Sequence, residues 1–280
     1  MNIRFSSPTH LRRTTGLFFA LLVATTCGLA GAENGPTNPV NLAAAPTTSP
    51  VSSRWQSSVA AFAAADREKL PANDGVLFVG SSTIRMWTSM AQDFRQLPVV
   101  INRGFGGSTM ADCERLAREL VTRYRPRQVL VYAGDNDLAE GRSPQQVLAS
   151  FVSFVRVVRG ELPLARITYI SIKPSPSRAA LLPRIRETNQ LLAAYIGTLE
   201  NTAYIDIFSP MLTADGHTRP ELFKSDMLHM NDSGYALWQS VINSHLMPSA
   251  LMPAADLQQA TTSAAPAPLP RLPQALPALP

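Results

Sequence analysis

The sequence predicts an α/β domain built on a parallel sheet of about five strands, with helices on both faces. Two observations carry this. Between Arg54 and about Pro248, short β-branched runs alternate with amphipathic stretches. The runs are apolar nearly throughout, as strands are when both faces of a sheet are covered. In chain order they are Val76–Val79, Val99–Ile101, Val129–Tyr132, Ile167–Ile172 and Ala203–Ile205. Helices fall between them and connect parallel strands by right-handed crossovers. Ala111–Tyr124 carries Leu116, Leu120 and Tyr124 at helical spacing, with Thr109 placed as its cap and Asp112 three residues on. Pro144–Arg159 follows Ser143 as cap and has proline in its first turn. Leu181–Leu199 and Ser233–Leu246 complete the set.

The chain has 280 residues, 45% hydrophobic and 16% charged, which suits one globular domain with residues to spare at both ends. Residues 1–32 read as an export signal. Arg4, Arg12 and Arg13 precede the apolar run Gly16–Leu29, and Ala30-Gly31-Ala32 offers a small-x-small cleavage site. A twin-arginine signal at Arg12-Arg13 and lipid attachment at Cys27 are variants of the same export, and the flanking residues fit both poorly. Residues 33–53 read as a disordered linker and residues 249–280 as a Pro/Ala-rich disordered tail. No other apolar run is long enough to span a bilayer, so no stable membrane span is expected after signal cleavage. The formal charge is +5, but without the three leader arginines 22 basic residues face 20 acidic ones. That is an ordinary solvated surface, and no nucleic-acid partner is expected. Two cysteines exclude a disulfide scaffold and a multi-cysteine zinc site, and Cys113 reads as a small buried residue on a helix. No metal or cofactor is expected.

In an open parallel sheet, ligands sit at the carboxyl ends of the strands. The first strand runs into Gly80-Ser81-Ser82-Thr83, a turn that can expose a serine at the amino end of a helix. By position alone, Ser81 and Ser82 are both open to the role of nucleophile. The second runs into Asn102-Arg103-Gly104-Phe105-Gly106-Gly107-Ser108-Thr109, where glycines let backbone amides approach a ligand. The spacing is not that of a dinucleotide fingerprint. The third runs into Gly134-Asp135-Asn136-Asp137, whose central amide can donate to an oxyanion and whose acids lack the spacing of a calcium loop. Near the last helix, Asp226 precedes His229 by three residues, close enough to fix the ring's tautomer. His217 and His245 have no acid three residues before them. Together these segments supply a nucleophile, oxyanion donors, a base and its orienter.

The four segments resemble the sequence blocks of the SGNH hydrolases, the GDSL-type esterases and lipases. Within them they are most similar to the branch of platelet-activating-factor acetylhydrolase catalytic subunits. The resemblance spans roughly residues 54–248 and implies a three-layer α/β/α sandwich, flavodoxin-like. It places the nucleophile on Ser82, with Ser81 where the family has aspartate. The oxyanion hole falls on Ser82, Gly107 and Asn136, and Asp226 and His229 complete the triad. The pattern Gly-x-Ser-x-Gly of α/β-hydrolases is absent. The activity implied is hydrolysis of short-chain, above all acetyl, carboxylic esters through an acyl-enzyme, by a periplasmic or secreted protein acting on a small-molecule or glycan ester. An acyltransferase or thioesterase would use the same residues, and a glycan-binding envelope protein that kept the fold is the non-catalytic rival. Arg85, Trp87, Arg103 and Phe105 follow the site segments. They are candidates to line the pocket, or else core aromatics with surface arginines.

Overall fold

The computed structural model describes residues 54–246. The leader, linker and tail read from the sequence lie outside the described residues. Five strands form one all-parallel sheet: β1 (Val76–Gly80), β2 (Val100–Gly104), β3 (Gln128–Tyr132), β4 (Arg166–Ile170) and β5 (Thr202–Ile205). Their spatial order is β2-β1-β3-β4-β5, the flavodoxin-like doubly wound order, whose switch point lies between β1 and β3.

Alternate residues of the strands feed two cores. Leu77, Val79, Val129, Val131, Ile167 and Tyr169 pack against α4 (Met110–Arg115), α5 (Ala117–Leu120), α7 (Pro144–Glu161) and α8 (Leu182–Ile196). Val76, Phe78, Leu130, Tyr132 and Ile170 pack against α2 (Ser82–Arg85), α3 (Met90–Asp93) and α9 (Asp232–Asn243), where Trp87 and Trp238 are buried. The remaining helices are α1 (Gln56–Glu68) and α6 (Asp135–Ala139). The result is the three-layer α/β/α arrangement, and β1 and β3 are buried along their whole length. That double burial is why their sequences show no alternation.

The caps sit where the sequence places them. Thr109 Oγ1 accepts from the Asp112 backbone, and Asp112 Oδ2 accepts from the Thr109 backbone at 3.0 Å. Ser143 and Gln146 make the same reciprocal pair at the start of α7. The expected helix Ala111–Tyr124 is instead three pieces: α4, α5 and a 3₁₀ turn at Thr122–Tyr124. Leu116 and Val121 leave helical geometry, and the segment ends on Arg125 in the left-handed region before Pro126, which cannot extend a helix.

Helix α1 is absent from the elements read in the sequence. Val59 and Phe62 pack against the core, and a buried polar pair adds to their hold. The buried carboxylate of Asp66 accepts from Arg103 Nη2 at 2.6 Å and from the Tyr124 hydroxyl at 2.5 Å. The Arg103 guanidinium lies between aromatic rings, 5.0 Å from the centre of Phe62 and 4.4 Å from that of Tyr124. Trp55 meets Phe105 edge to face at 5.2 Å. Replacing Asp66 by alanine would strand the buried Arg103 charge. The expected cost is about 3–5 kcal/mol of stability, read from the urea midpoint of Asp66→Ala against wild type; an unchanged midpoint would contradict this account of how α1 is held.

Candidate active site

Strand β1 ends on Gly80 with φ +148°, and a methyl group there would lie 1.9 Å from the carbonyl oxygen of Tyr132. Only glycine fits, and the tight end lets the chain turn at once into α2. Ser81 is buried, its backbone N–H donating to Tyr132 O at 3.1 Å, while its hydroxyl has no partner among the described residues. Ser82 follows and is partly exposed. Its Oγ lies 3.0 Å from His229 Nε2, and His229 Nδ1 lies 2.6 Å from Asp226 Oδ2.

The segment carrying His229 is shaped by Asp226. Asp226 Oδ1 accepts the backbone N–H groups of Leu228 at 3.0 Å and His229 at 2.9 Å. The His229 ring, followed by those two backbone donors, holds the Asp226 carboxyl far below the usual carboxylate range. The ionised carboxylate therefore accepts from Nδ1–H, which leaves Nε2 with a lone pair facing the Ser82 hydroxyl. The turn is pinned from outside by Ser177 N donating to Met227 O at 3.0 Å and Lys224 N donating to His229 O at 2.8 Å.

Asn136 comes to the same place through Gly134, which has φ +120° and packs so close to Ile172 that a methyl group would lie 2.7 Å from its side chain. Asn136 Nδ2 donates one hydrogen to Ser108 O at 3.0 Å, and Oδ1 accepts from Arg178 Nη2 at 2.8 Å. The second hydrogen on Nδ2 has no acceptor among the described residues. The backbone N–H groups of Ser82 and Gly107 likewise donate to nothing among the described residues. Ser82, His229, Gly107 and Asn136 line one open cleft of about 470 Å³, with Arg54 and Arg85 beside them.

Beneath the cleft lies a buried charge cluster. Asp135 Oδ2 is 3.0 Å from Lys173 Nζ, 3.1 Å from Arg178 Nη1 and 3.2 Å from the Tyr132 hydroxyl. Lys173 also donates to Tyr132 Oη and Thr83 Oγ1. Burial alone would raise the Asp135 carboxyl; Lys173 and Arg178 outweigh it and hold the group below its ordinary value. The neighbouring Asp137 accepts from Met110 N at 2.9 Å but has no cation at such distance among the described residues, and burial pushes its carboxyl up to about 6.

Every residue proposed from sequence for the triad and oxyanion donors is thus gathered here: Ser82, Gly107, Asn136, Asp226 and His229. The four flanking candidates divide. Arg85 lines the cleft, whereas Trp87 and Phe105 are core residues and Arg103 is buried in the pair with Asp66. Lys173 and Arg178 escaped the sequence reading. They lie in Lys173-Pro174-Ser175-Pro176-Ser177-Arg178, the polar segment after β4, where the rule of strand carboxyl ends points as it does for β1, β2 and β3. Among the described residues, no cluster of three His, Cys, Asp or Glu side chains is placed to hold a metal, and no helix is long and apolar enough to cross a membrane.

Residues 73–237, more than half the chain, match the model of the GDSL-like lipase/acylhydrolase family. The chain belongs to that family. This GDSL-family member shares its fold with solved structures of low identity. One, from Streptococcus pneumonia and described as a platelet activating factor, is 17% identical with TM-score 0.62, over 69% of this chain and 93% of that one. An acylhydrolase structure from Bacteroides fragilis is 23% identical with TM-score 0.57, over 72% and 95%. A variant of an acetyl-xylooligosaccharide esterase from Geobacillus is 14% identical with TM-score 0.51, over 65% and 98%. No curated protein matches.

The raised Asp137 carboxyl gives a sign to the pH dependence of stability. The folded state holds this proton up to about pH 6, whereas an unfolded aspartate releases it near pH 4. Stability from this group is therefore present at low pH and lost as pH rises through that window. Relative to Asp137→Asn, wild type should lose up to about 3 kcal/mol between pH 4 and pH 7, measured as the difference of their urea-unfolding curves. A flat difference would contradict the assignment.

Proposed function

We propose that this GDSL-family member is an exported serine esterase that hydrolyses short-chain carboxylic esters, acetyl above all, through an acyl-enzyme. The observation that carries the reading is the continuous relay from Asp226 through His229 to Ser82, at 2.6 Å and 3.0 Å. In the mechanism, His229 Nε2 takes the proton of Ser82 as Oγ attacks the ester carbonyl carbon. Asp226 keeps Nδ1 protonated and stabilises the imidazolium. The unused N–H groups of Ser82, Gly107 and Asn136 receive the oxyanion. The tetrahedral intermediate collapses, His229 returns the proton to the departing alcohol, and the acyl group stays on Ser82. Water, deprotonated by His229, then frees the acid.

Arg178 enters as a positioning residue. By donating to Asn136 Oδ1 it fixes which end of the amide faces the cleft, and it draws electron density from the nitrogen, strengthening Nδ2–H as a donor. The open cleft suits a short acyl chain on a small-molecule or glycan alcohol. The leader read in residues 1–32 supports a periplasmic or extracellular substrate.

The test is turnover of p-nitrophenyl acetate by residues 33–280. Ser82→Ala should abolish it and Ser81→Ala should retain it; the opposite pair of results would move the nucleophile by one residue. Asn136→Ala should lower kcat by about 100- to 1,000-fold with little change in KM. A separate cycle addresses Arg178. Arg178→Gln should lower kcat about tenfold and add nothing in an Asn136→Ala background, whereas additive losses would leave Arg178 a purely structural residue.

A further inference from the structure

The esterase reading leaves two cleft residues without a task. Arg85 ends the single turn α2, three residues after Ser82, and is exposed. Its guanidinium lies over the turn that follows β2. A methyl group on Gly106 would stand 2.8 Å from Arg85 Nε and 3.2 Å from Nη2. Among the described residues Arg85 has no carboxylate partner and no hydrogen-bond acceptor. Arg54 sits against the next residue of the same turn. Its Nη2 donates to Gly107 O at 3.1 Å, and a methyl group on Gly107 would lie 2.8 Å from it. Its counter-ion, Glu140, is 3.5 Å away, with both side chains about half exposed, a pair that solvent largely screens.

Two guanidinium groups therefore flank the backbone that carries Gly107, and among the described residues no carboxylate lines the cleft. The nearby Asp226 is committed to His229. A ligand filling the cleft covers Arg85 and takes water from it. With a neutral ligand this desolvation is uncompensated. With an anionic ligand it is repaid by a charge-assisted, two-pronged hydrogen bond, for which the planar guanidinium is shaped.

We propose that the substrate is an anionic ester, carrying a carboxylate or phosphate close to the scissile bond, with Arg85 as the principal recognition residue and Arg54 in support. The proposal rests on the esterase reading and names the substrate class for that same site. The anion takes no part in bond making. It is bound in ground and transition state alike, so its effect falls mainly on KM.

The test uses matched pairs of esters that differ in charge. Para-acetoxybenzoate against para-acetoxybenzamide places the charge on the alcohol side. Mono-p-nitrophenyl succinate against p-nitrophenyl butyrate places it on the acyl side. Para-acetoxyphenyl phosphate replaces the carboxylate by phosphate. Wild type should favour the anionic member of at least one pair by about tenfold or more in kcat/KM. That ratio should fall towards one in Arg85→Gln, recover in part in Arg85→Lys, and shrink with added salt. Arg156→Gln, which removes an exposed charge on α7 away from the cleft, should change neither rate. If neutral esters are turned over in a Ser82-dependent way and no pair shows a preference, the proposal is overturned and the esterase reading stands. A preference that survives Arg85→Gln overturns it as well. If no ester of either class is turned over, both readings fall together.

Discussion

Asp135 is a buried carboxylate that must be neutralised where it stands, and much of the site's geometry follows from that requirement. Lys173 is brought in from the segment after β4 and lies almost wholly out of solvent against it. Arg178 comes from five residues further along the same segment, and its second nitrogen reaches Asn136. A charge that folding cannot leave unpaired thereby dictates the direction of a neutral amide one residue away. Two cations serve one carboxylate, so the cluster as a whole is positive. It lies under the place where, in the proposed mechanism, negative charge develops.

The loops at the carboxyl edge of the sheet are also tied to one another. Asn102, in β2, donates to Ile84 O at 2.8 Å and accepts from Gly104 N at 2.9 Å, which fixes α2 against the neighbouring strand. Asp137 holds the start of α4 through Met110 N, and Ser177 holds the turn before His229. Apart from the local Asn102–Gly104 bond, each contact joins segments that are distant in sequence and adjacent at the site. A chemical group placed by such cross-bracing needs little rearrangement when a substrate arrives, which is the condition for electrostatic preorganisation.

What the sequence revealed and what it concealed divide along physical lines. The five strands were readable because burial on both faces leaves an unmistakable apolar run. Thr109 and Ser143 were readable because a capping box is a local event across four residues. The segments after β1, β2 and β3 were readable because the carboxyl ends of parallel strands converge, the Asp226–His229 pair because it is local, and the choice of Ser82 and Gly107 within their segments came from the family resemblance. Helix α1 was hidden because Val59 and Phe62 are its only large apolar residues, while its buried anchor pairs Asp66 with Arg103, 37 residues away, and no periodicity records a long-range ion pair. Lys173 and Arg178 were hidden for the same reason, inside a proline-rich stretch that reads as an ordinary loop until Asp135 is placed beside it. The break in the helix after Cys113 was hidden because Leu116 and Leu120 keep their apolar spacing whether or not the backbone between them stays regular.

Helix α1 lies wholly before residue 73, where the family match begins. Arg54, Trp55 and Ser58, at the start of that helix, nevertheless form part of the cleft wall. The reacting groups and part of the wall beside them thus stand on separate stretches of chain. A substitution in the first of these stretches can reshape what the cleft admits while leaving the Asp226–His229–Ser82 relay untouched.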